Sequence, residues 1–287
     1  MQLSAEFPKK FLVRLYVQLL TNKLKPMEKA LYSGKTAIIT GSTQGLGEAI
    51  ARKLTAEKSS GITISGRNSE RGKALAEELT QQGTPTIFVR AEMENPDECI
   101  NLVSQSYKHF GRLDGLVNSA AVTTRGTLED TTVKLWDQHM AINVRAPFLT
   151  MKEAVKIMQK QGRGGSIVNI ITKSAHGGQP FLTPYSTSKG ALATLTKNVA
   201  YSQRWHKIRV NGIMVGWMDT PAEDMIQRKF HGAQGDWLED VESKQPLGKL
   251  AKPDEVADLV ALMLSDRGGV MCGSLIDYDQ EIVGTSD

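Results

Sequence analysis

The chain has 287 residues, of which 40% are hydrophobic and 23% charged, and only two are cysteines. A chain of this size buries a large core unaided, and Cys99 and Cys272 form no Cys-x-x-Cys or Cys/His cluster, which excludes a disulfide scaffold and argues against a structural metal site. Net charge is +4, but residues 1–35 carry seven cations against two anions, so the remainder is near neutral and gives no sign of a nucleic-acid partner.

Residues 1–33 differ in character from the rest. Phe11-Leu12-Val13, Leu15-Tyr16-Val17 and Leu19-Leu20 form an apolar run broken by Arg14 and Gln18, too short to span a membrane. No small-residue cleavage site follows, as a secretory signal requires. Three readings are open: a cationic amphipathic helix that touches a membrane or partner, a segment packed on the body, or a stretch upstream of a natural start at Met27, which is favoured. The paucity of cysteine points to a reducing, cytoplasmic compartment.

From Lys35 onward, strands alternate with helical patterns. Strands are expected at Thr36–Thr40, Ile62–Ser65, Thr86–Val89, Leu113–Asn118, Ser166–Ile171, Ile208–Met214 and Leu275–Tyr278. Helices are expected after the first two strands, over Pro96–Phe110, Val133–Gln161, Tyr185–Ser202 and Pro253–Leu264. Alternation of this kind implies βαβ units and a doubly wound parallel sheet of the Rossmann type, in one domain over residues 34–287. Residues 221–249 read as a long loop covering a ligand at the carboxyl ends of the strands.

After the first strand comes Thr40-Gly41-Ser42-Thr43-Gln44-Gly45-Leu46-Gly47, which opens a helix. That is the setting of a dinucleotide turn. Gly41 permits the tight turn, Gly45 lets the backbone approach the pyrophosphate, Gly47 allows close packing, and the helix N-terminus offers N–H groups to phosphate. Further on, Tyr185 and Lys189 are four residues apart on a helical pattern, hence on one face. An ammonium near a phenol favours the phenolate and lowers its pKa, fitting Tyr185 for acid–base work.

With this glycine spacing and the downstream Tyr-xxx-Lys, the chain resembles the short-chain dehydrogenase/reductase family over roughly residues 34–280. Asn118-Ser119-Ala120-Ala121 resembles its Asn-Asn-Ala-Gly element. Asn143 stands at its helix asparagine. Gly216-Trp217-Met218-Asp219-Thr220 resembles the element that clasps the nicotinamide side. The resemblance implies an oxidoreductase using NAD(P), with cofactor contacts at Gly41, Thr43, Gln44, Gly45, Leu46, Gly47, Arg67, Asn68, Glu92, Met93, Asn118, Ala120, Tyr185, Lys189, Gly216, Met218 and Thr220. It implies Tyr185 as acid/base, Lys189 as the group that lowers its pKa and binds the ribose, Asn143 behind a water linking Lys189 to solvent, and Thr172, at the family's serine position, holding the substrate oxygen. Ser174 is the other candidate hydroxyl. It also implies a homo-oligomer, dimer or tetramer.

Gly66 occupies the place of an NAD-type aspartate and Arg67 follows it, which favours NADP over NAD, although the family's second basic position falls on Gln44. Polar residues in 221–249, with His176 and Gln179, lean towards a small polar substrate such as a sugar, polyol or hydroxy acid. His139, His206 and His231 are read as surface residues. Val215 before Gly216, and Gln280-Glu281 after the last strand, depart from the family pattern. Two competing readings stand beside this one: a catalytically weak dinucleotide-binding regulator, and an enzyme tethered to a membrane surface by residues 9–25.

Overall fold

Seven strands form one sheet in the order β3-β2-β1-β4-β5-β6-β7, every neighbouring pair parallel. They are β1 Thr36–Thr40, β2 Gly61–Gly66, β3 Thr86–Arg90, β4 Gly115–Asn118, β5 Gly165–Ile170, β6 Ile208–Val215 and β7 Leu275–Tyr278. The computed structural model describes residues 30–283, and the expectations for residues 1–29 lie outside it. Leu31–Asp287 makes one compact unit. Tyr32 is wholly buried within that unit, its hydroxyl donating to Thr36 O at 3.1 Å.

Helices cover both faces, as a parallel sheet requires. Successive residues of β1 point to opposite sides: Ile39 enters a core with Ile50, Leu54, Leu75, Leu79, Val256 and Val260. Ile38 enters another with Leu102, Val103, Met151, Ala154 and Met158. The first core belongs to α1 Gly45–Ala56, α2 Ser69–Gln81 and α9 Pro253–Leu264; the second is built by α3 Pro96–Phe110 and α5 Ala146–Gln161. Between them in sequence lies α4 Val133–Met140, and α6 Thr183–Gln203 follows β5. Local signals set the starts: Asn68 accepts from Arg71 N at α2, and Asn95 accepts from Asp97 N ahead of Pro96 at α3.

Two expectations change. The single helix over 133–161 is broken by a π turn at Ala141–Arg145. Pro147, in the first turn of α5, cannot donate to Asn143 O four residues back and would crowd it. Widening the turn relieves that, and the Ala146 N–H bonds Ala141 O instead. The stretch 221–249 is not all loop. It contains α7 Pro221–Phe230 and α8 Trp237–Ser243, capped by Thr220 and Asp236. The capping signal was present in Thr220-Pro221-Ala222-Glu223.

The strand order reverses between β1 and β4, where chains leave in opposite directions and open a crevice at the carboxyl ends. Everything that follows sits there.

Candidate active site

One cleft of about 1140 Å³ runs from the glycine turn to α7. Ligand pockets for drug-sized molecules run to ~1,000 Å³, so this one has room for a dinucleotide and a small second molecule. Of the expected cofactor contacts all line it except Asn118, and of the expected catalytic residues all except Asn143.

The nucleotide end is shaped by absent side chains. Gly41 has φ +64°, and a Cβ there would lie 2.7 Å from the Ala120 Cα. At Gly47 a Cβ would lie 2.4 Å from Gly41 O, so this glycine closes the turn on itself rather than on a strand. Thr40 Oγ1 ties β1 to the next wall by accepting from Ser119 N at 3.0 Å and Ala120 N at 3.1 Å. The N-terminus of α1 carries no side-chain cap, leaving its first N–H groups to face the cleft as a phosphate cradle.

At the carboxyl end of β2, Arg67 is exposed and makes no hydrogen bond among the described residues. A side chain at Gly66 would meet Thr43 at 2.8 Å. Arg71, which the sequence reading missed, lines the same wall and donates to Gln44 Oε1 at 2.6 Å. Its spacing of four from Arg67, at a helix start, was the available signal. Asn68 Oδ1 caps α2, and the Glu92 carboxylate accepts from Arg90 at 2.9 Å.

Asn118 is directed into the sheet instead of the cleft. Its amide donates to Asn169 Oδ1 at 2.8 Å and accepts from Thr150 at 2.7 Å, and Asn169 donates to Thr196 at 2.9 Å. This buried network braces β4 and β5 against α5 and α6. Asn143, fully buried in the π turn, clamps the loop after β4: it accepts from Val122 N at 2.9 Å, donates to Val122 O at 3.0 Å, and donates to Ser188 Oγ at 3.0 Å.

Tyr185 and Lys189 share one face of α6, as their spacing requires. Lys189 is 2% exposed; its ammonium donates to Ile170 O at 2.7 Å and lies 6.0 Å from the Tyr185 ring centroid. The expected direction of the phenol's pKa is reversed. Burial pushes Tyr185 up to about 12, against a hydrogen bond to Thr172 and the charge of Arg125, while Glu223 adds to the rise. Burial alone pulls Lys189 down to about 8. Of the two candidate hydroxyls, Thr172 is the one that acts on the Tyr185 phenol, whereas Ser174 donates to Gln179.

Of the three histidines read as surface residues, His206 and His231 are exposed and His139 is not. His139 is completely buried behind the Tyr185 ring, centroids 6.4 Å apart, because Nδ1 finds Leu135 O at 2.9 Å within its own helix. His231 lines the cleft edge-on to Phe181 at 5.5 Å. His176 instead pairs with Asp277 at 2.9 Å. The substrate end also holds Arg125, Phe181, Trp217, Glu223 and Gln227. Sequence reading missed Arg125; its position on the loop leaving a strand beside the switch point was the only hint.

The unusual residues at the chain's end have partners. Lys173 pairs with Asp279 at 2.9 Å and with Glu281, and Gln280 accepts from Leu247 N at 2.8 Å.

A family model described as Enoyl-(Acyl carrier protein) reductase matches residues 41–280. The chain belongs to the short-chain dehydrogenase/reductase family. An uncharacterized oxidoreductase of Thermotoga maritima is 34% identical over 249 residues, spanning 86% of this chain and 97% of its own. A cis-4-hydroxycyclohexanecarboxylate dehydrogenase of Sinomonas cyclohexanicum is 30% identical, over 86% and 96%. The crystal structure of a dehydrogenase/reductase from Sinorhizobium meliloti superposes with a TM-score of 0.78 at 32% identity, over 88% and 97%. This short-chain dehydrogenase/reductase is therefore an oxidoreductase that works between CH–OH and C=O with a nicotinamide cofactor.

Proposed function

We propose that the enzyme uses NADP(H) to interconvert a small polar carbonyl and its alcohol, with Tyr185 as the acid/base. The observation that carries the reading is that Thr172, Tyr185 and Lys189 line one cleft wall, with the Lys189 ammonium 6.0 Å from the Tyr185 ring centroid. Thr172 orients the substrate oxygen, Tyr185 exchanges a proton with it, and Lys189 holds a positive charge beneath the phenol and faces the ribose. The bound nicotinamide supplies or accepts the hydride. Asn143 acts through position, by fixing Val122 and Ser188 around the tyrosine.

Support for NADP comes from two guanidiniums. Arg67 is exposed, and Arg71, held by Gln44, brings to the glycine turn the basic group that Gln44 lacks. Arginine matches phosphate in charge and geometry, and the crowding at Gly66 leaves no easy place for a ribose-binding carboxylate. Polar lining at Gln138, Gln179 and Gln227 supports a small hydroxylated substrate, as does the name of the relative that acts on a hydroxycyclohexanecarboxylate.

The exposed apolar residues Val133, Trp136 and Phe148 on α4 and α5 support a homo-oligomer. Among the described residues no helix is long and apolar enough to cross a membrane. The two free cysteines support a cytoplasmic setting. A panel of carbonyls and alcohols, assayed with NADPH/NADP and NADH/NAD at the nicotinamide absorbance, tests the proposal. Preference for NADP(H) is expected; a clear preference for NADH contradicts the role given to Arg67 and Arg71.

A further inference from the structure

Beyond Tyr185 the cleft contains a cation whose hydrogen bonds are poor. Arg125 lies on the loop after β4, with a side chain only 14% exposed. A guanidinium buried to that extent needs acceptors for its five N–H groups. Its Nη1 reaches Thr123 O at 3.2 Å, its Nη2 reaches Glu223 Oε1 at 3.4 Å, and its Nε reaches His231 Nε2 at 3.4 Å. Charge-assisted N–H···O bonds normally run ~2.7–2.9 Å, so all three contacts are long. The other two N–H groups have no acceptor among the described residues.

Glu223, paired with Arg125 at 3.4 Å, answers this need only in part. Its Oε1 already accepts from Trp217 Nε1 at 3.0 Å and from Gln227 Nε2 at 2.7 Å. Those neutral donors keep the carboxylate satisfied if Arg125 turns towards a ligand. The Phe181 ring, 6.0 Å from the guanidinium carbon, offers a flat apolar wall beside it for ligand carbon. Taken together, the compartment has an excess of cationic donors in a fork. The group that matches such a fork is a carboxylate, which accepts two parallel N–H bonds. The charge of Arg125 also reaches the Tyr185 phenol, so the anion-binding point and the reacting oxygen belong to one compartment.

We propose that Arg125 is the specificity residue of the cleft, and that the alcohol or carbonyl it selects carries a carboxylate. The inference rests on the oxidoreductase reading above. In oxidation the carboxylate sits on Arg125 while the hydroxyl meets Thr172 and Tyr185. The C–H bond gives its electron pair to the nicotinamide as hydride, the O–H proton goes to the phenolate form of Tyr185, and a C=O bond forms. The carboxylate is unchanged throughout.

The test pairs each hydroxy acid of a small set (hydroxybutanoate, mandelate and hydroxycyclohexanecarboxylate) with its own primary amide. For the native protein, kcat/KM for acid over amide is expected to be roughly 10- to 100-fold, the range of a charge-assisted contact. In Arg125→Met that ratio falls towards one, mainly through KM, and Arg125→Lys recovers part of it. Taking the ratio within each variant cancels any effect on Tyr185. Glu223→Gln, which removes the competing carboxylate, lowers KM for the acids several-fold.

Equal use of acid and amide, or a ratio unmoved in Arg125→Met, overturns the proposal and leaves the redox reading intact. If no pair is turned over, the melting temperature of the NADP-loaded protein decides. A rise with acids alone, lost in Arg125→Met, supports the site, and no acid-specific rise overturns it. Failure of the redox reading itself shows separately, as Tyr185→Phe activity equal to native on any substrate.

Discussion

At the residue scale, the proposed chemistry rests on Tyr185 and Lys189, whose pKa values move in opposite directions. Tyr185, lifted to about 12, stays protonated across the working range and is ready to donate. Lys189, lowered to about 8, loses its charge just above neutrality. For carbonyl reduction the sign follows: kcat/KM, which reports free enzyme, is expected to be flat from about pH 6 to 7 and to fall through about pH 8 as Lys189 deprotonates. Alcohol oxidation, which needs the phenolate, is expected to keep rising beyond that pH. A reduction profile that climbs above pH 8 contradicts the assignment. Thr172 gives a second check. Thr172→Ala removes the hydroxyl that shares the cleft wall with Tyr185 and is expected to lower kcat roughly 100-fold, whereas Thr172→Ser stays within several-fold and Ser174→Ala costs little.

What could be read of these residues followed from what sequence encodes. The four-residue spacing of Tyr185 and Lys189 fixed their common face, and Thr172 stood in register with them. The direction of the pKa shifts was not legible, because burial outweighs charge here and burial is a property of the packed site. His139 shows the same gap: a polar residue on a helix read as surface lies at the core behind Tyr185.

At the scale of elements, the glycine turn is where spacing and geometry agree most closely. Gly47→Ala places a methyl 2.4 Å from Gly41 O, a contact between backbones that no rotamer relieves. The expected result is a protein that still folds but whose melting temperature no longer rises with NADP(H); an undiminished rise contradicts the turn's role. Strands and most helices were legible because buried parallel strands are continuous apolar runs and the helices show their apolar stripe. The π turn was not, since nothing but Pro147 marked it. Helix α7 could have been found from Thr220 and Pro221, yet its polar sequence hid an amphipathic stripe. Asn118 was misplaced for a related reason. A polar residue at a strand end reads as cleft-facing, and here it braces strands instead.

For the whole molecule, two cores lie back to back on one sheet, and the candidate site is assembled from the ends of β1, β4 and β5 and from α6. Burying Lys189 there has a cost that pH reveals. Its folded pKa lies below the ordinary 10.5, so the unfolded chain binds the extra proton between pH 8 and 10.5. Stability from this group therefore rises with pH through that window, by up to about 3 kcal/mol. Cys99, raised to about 11 by burial from its ordinary 9.0, opposes it only above pH 9. The melting temperature is expected to increase from pH 8 to 9 in the native protein and to show less of this increase in Lys189→Met. Identical pH dependence in the two contradicts the burial argument.

The central claim is that Tyr185 exchanges the proton that accompanies hydride transfer from a bound NADP(H). Tyr185→Phe removes one oxygen from the cleft wall and leaves Arg67, Arg71 and the glycine turn in place. Measured on the best substrate of the carbonyl panel with NADPH, the variant is expected to lose between ~10²- and 10⁴-fold in kcat while NADPH still raises its melting temperature as in the native protein. Native-like turnover by that variant would contradict the account.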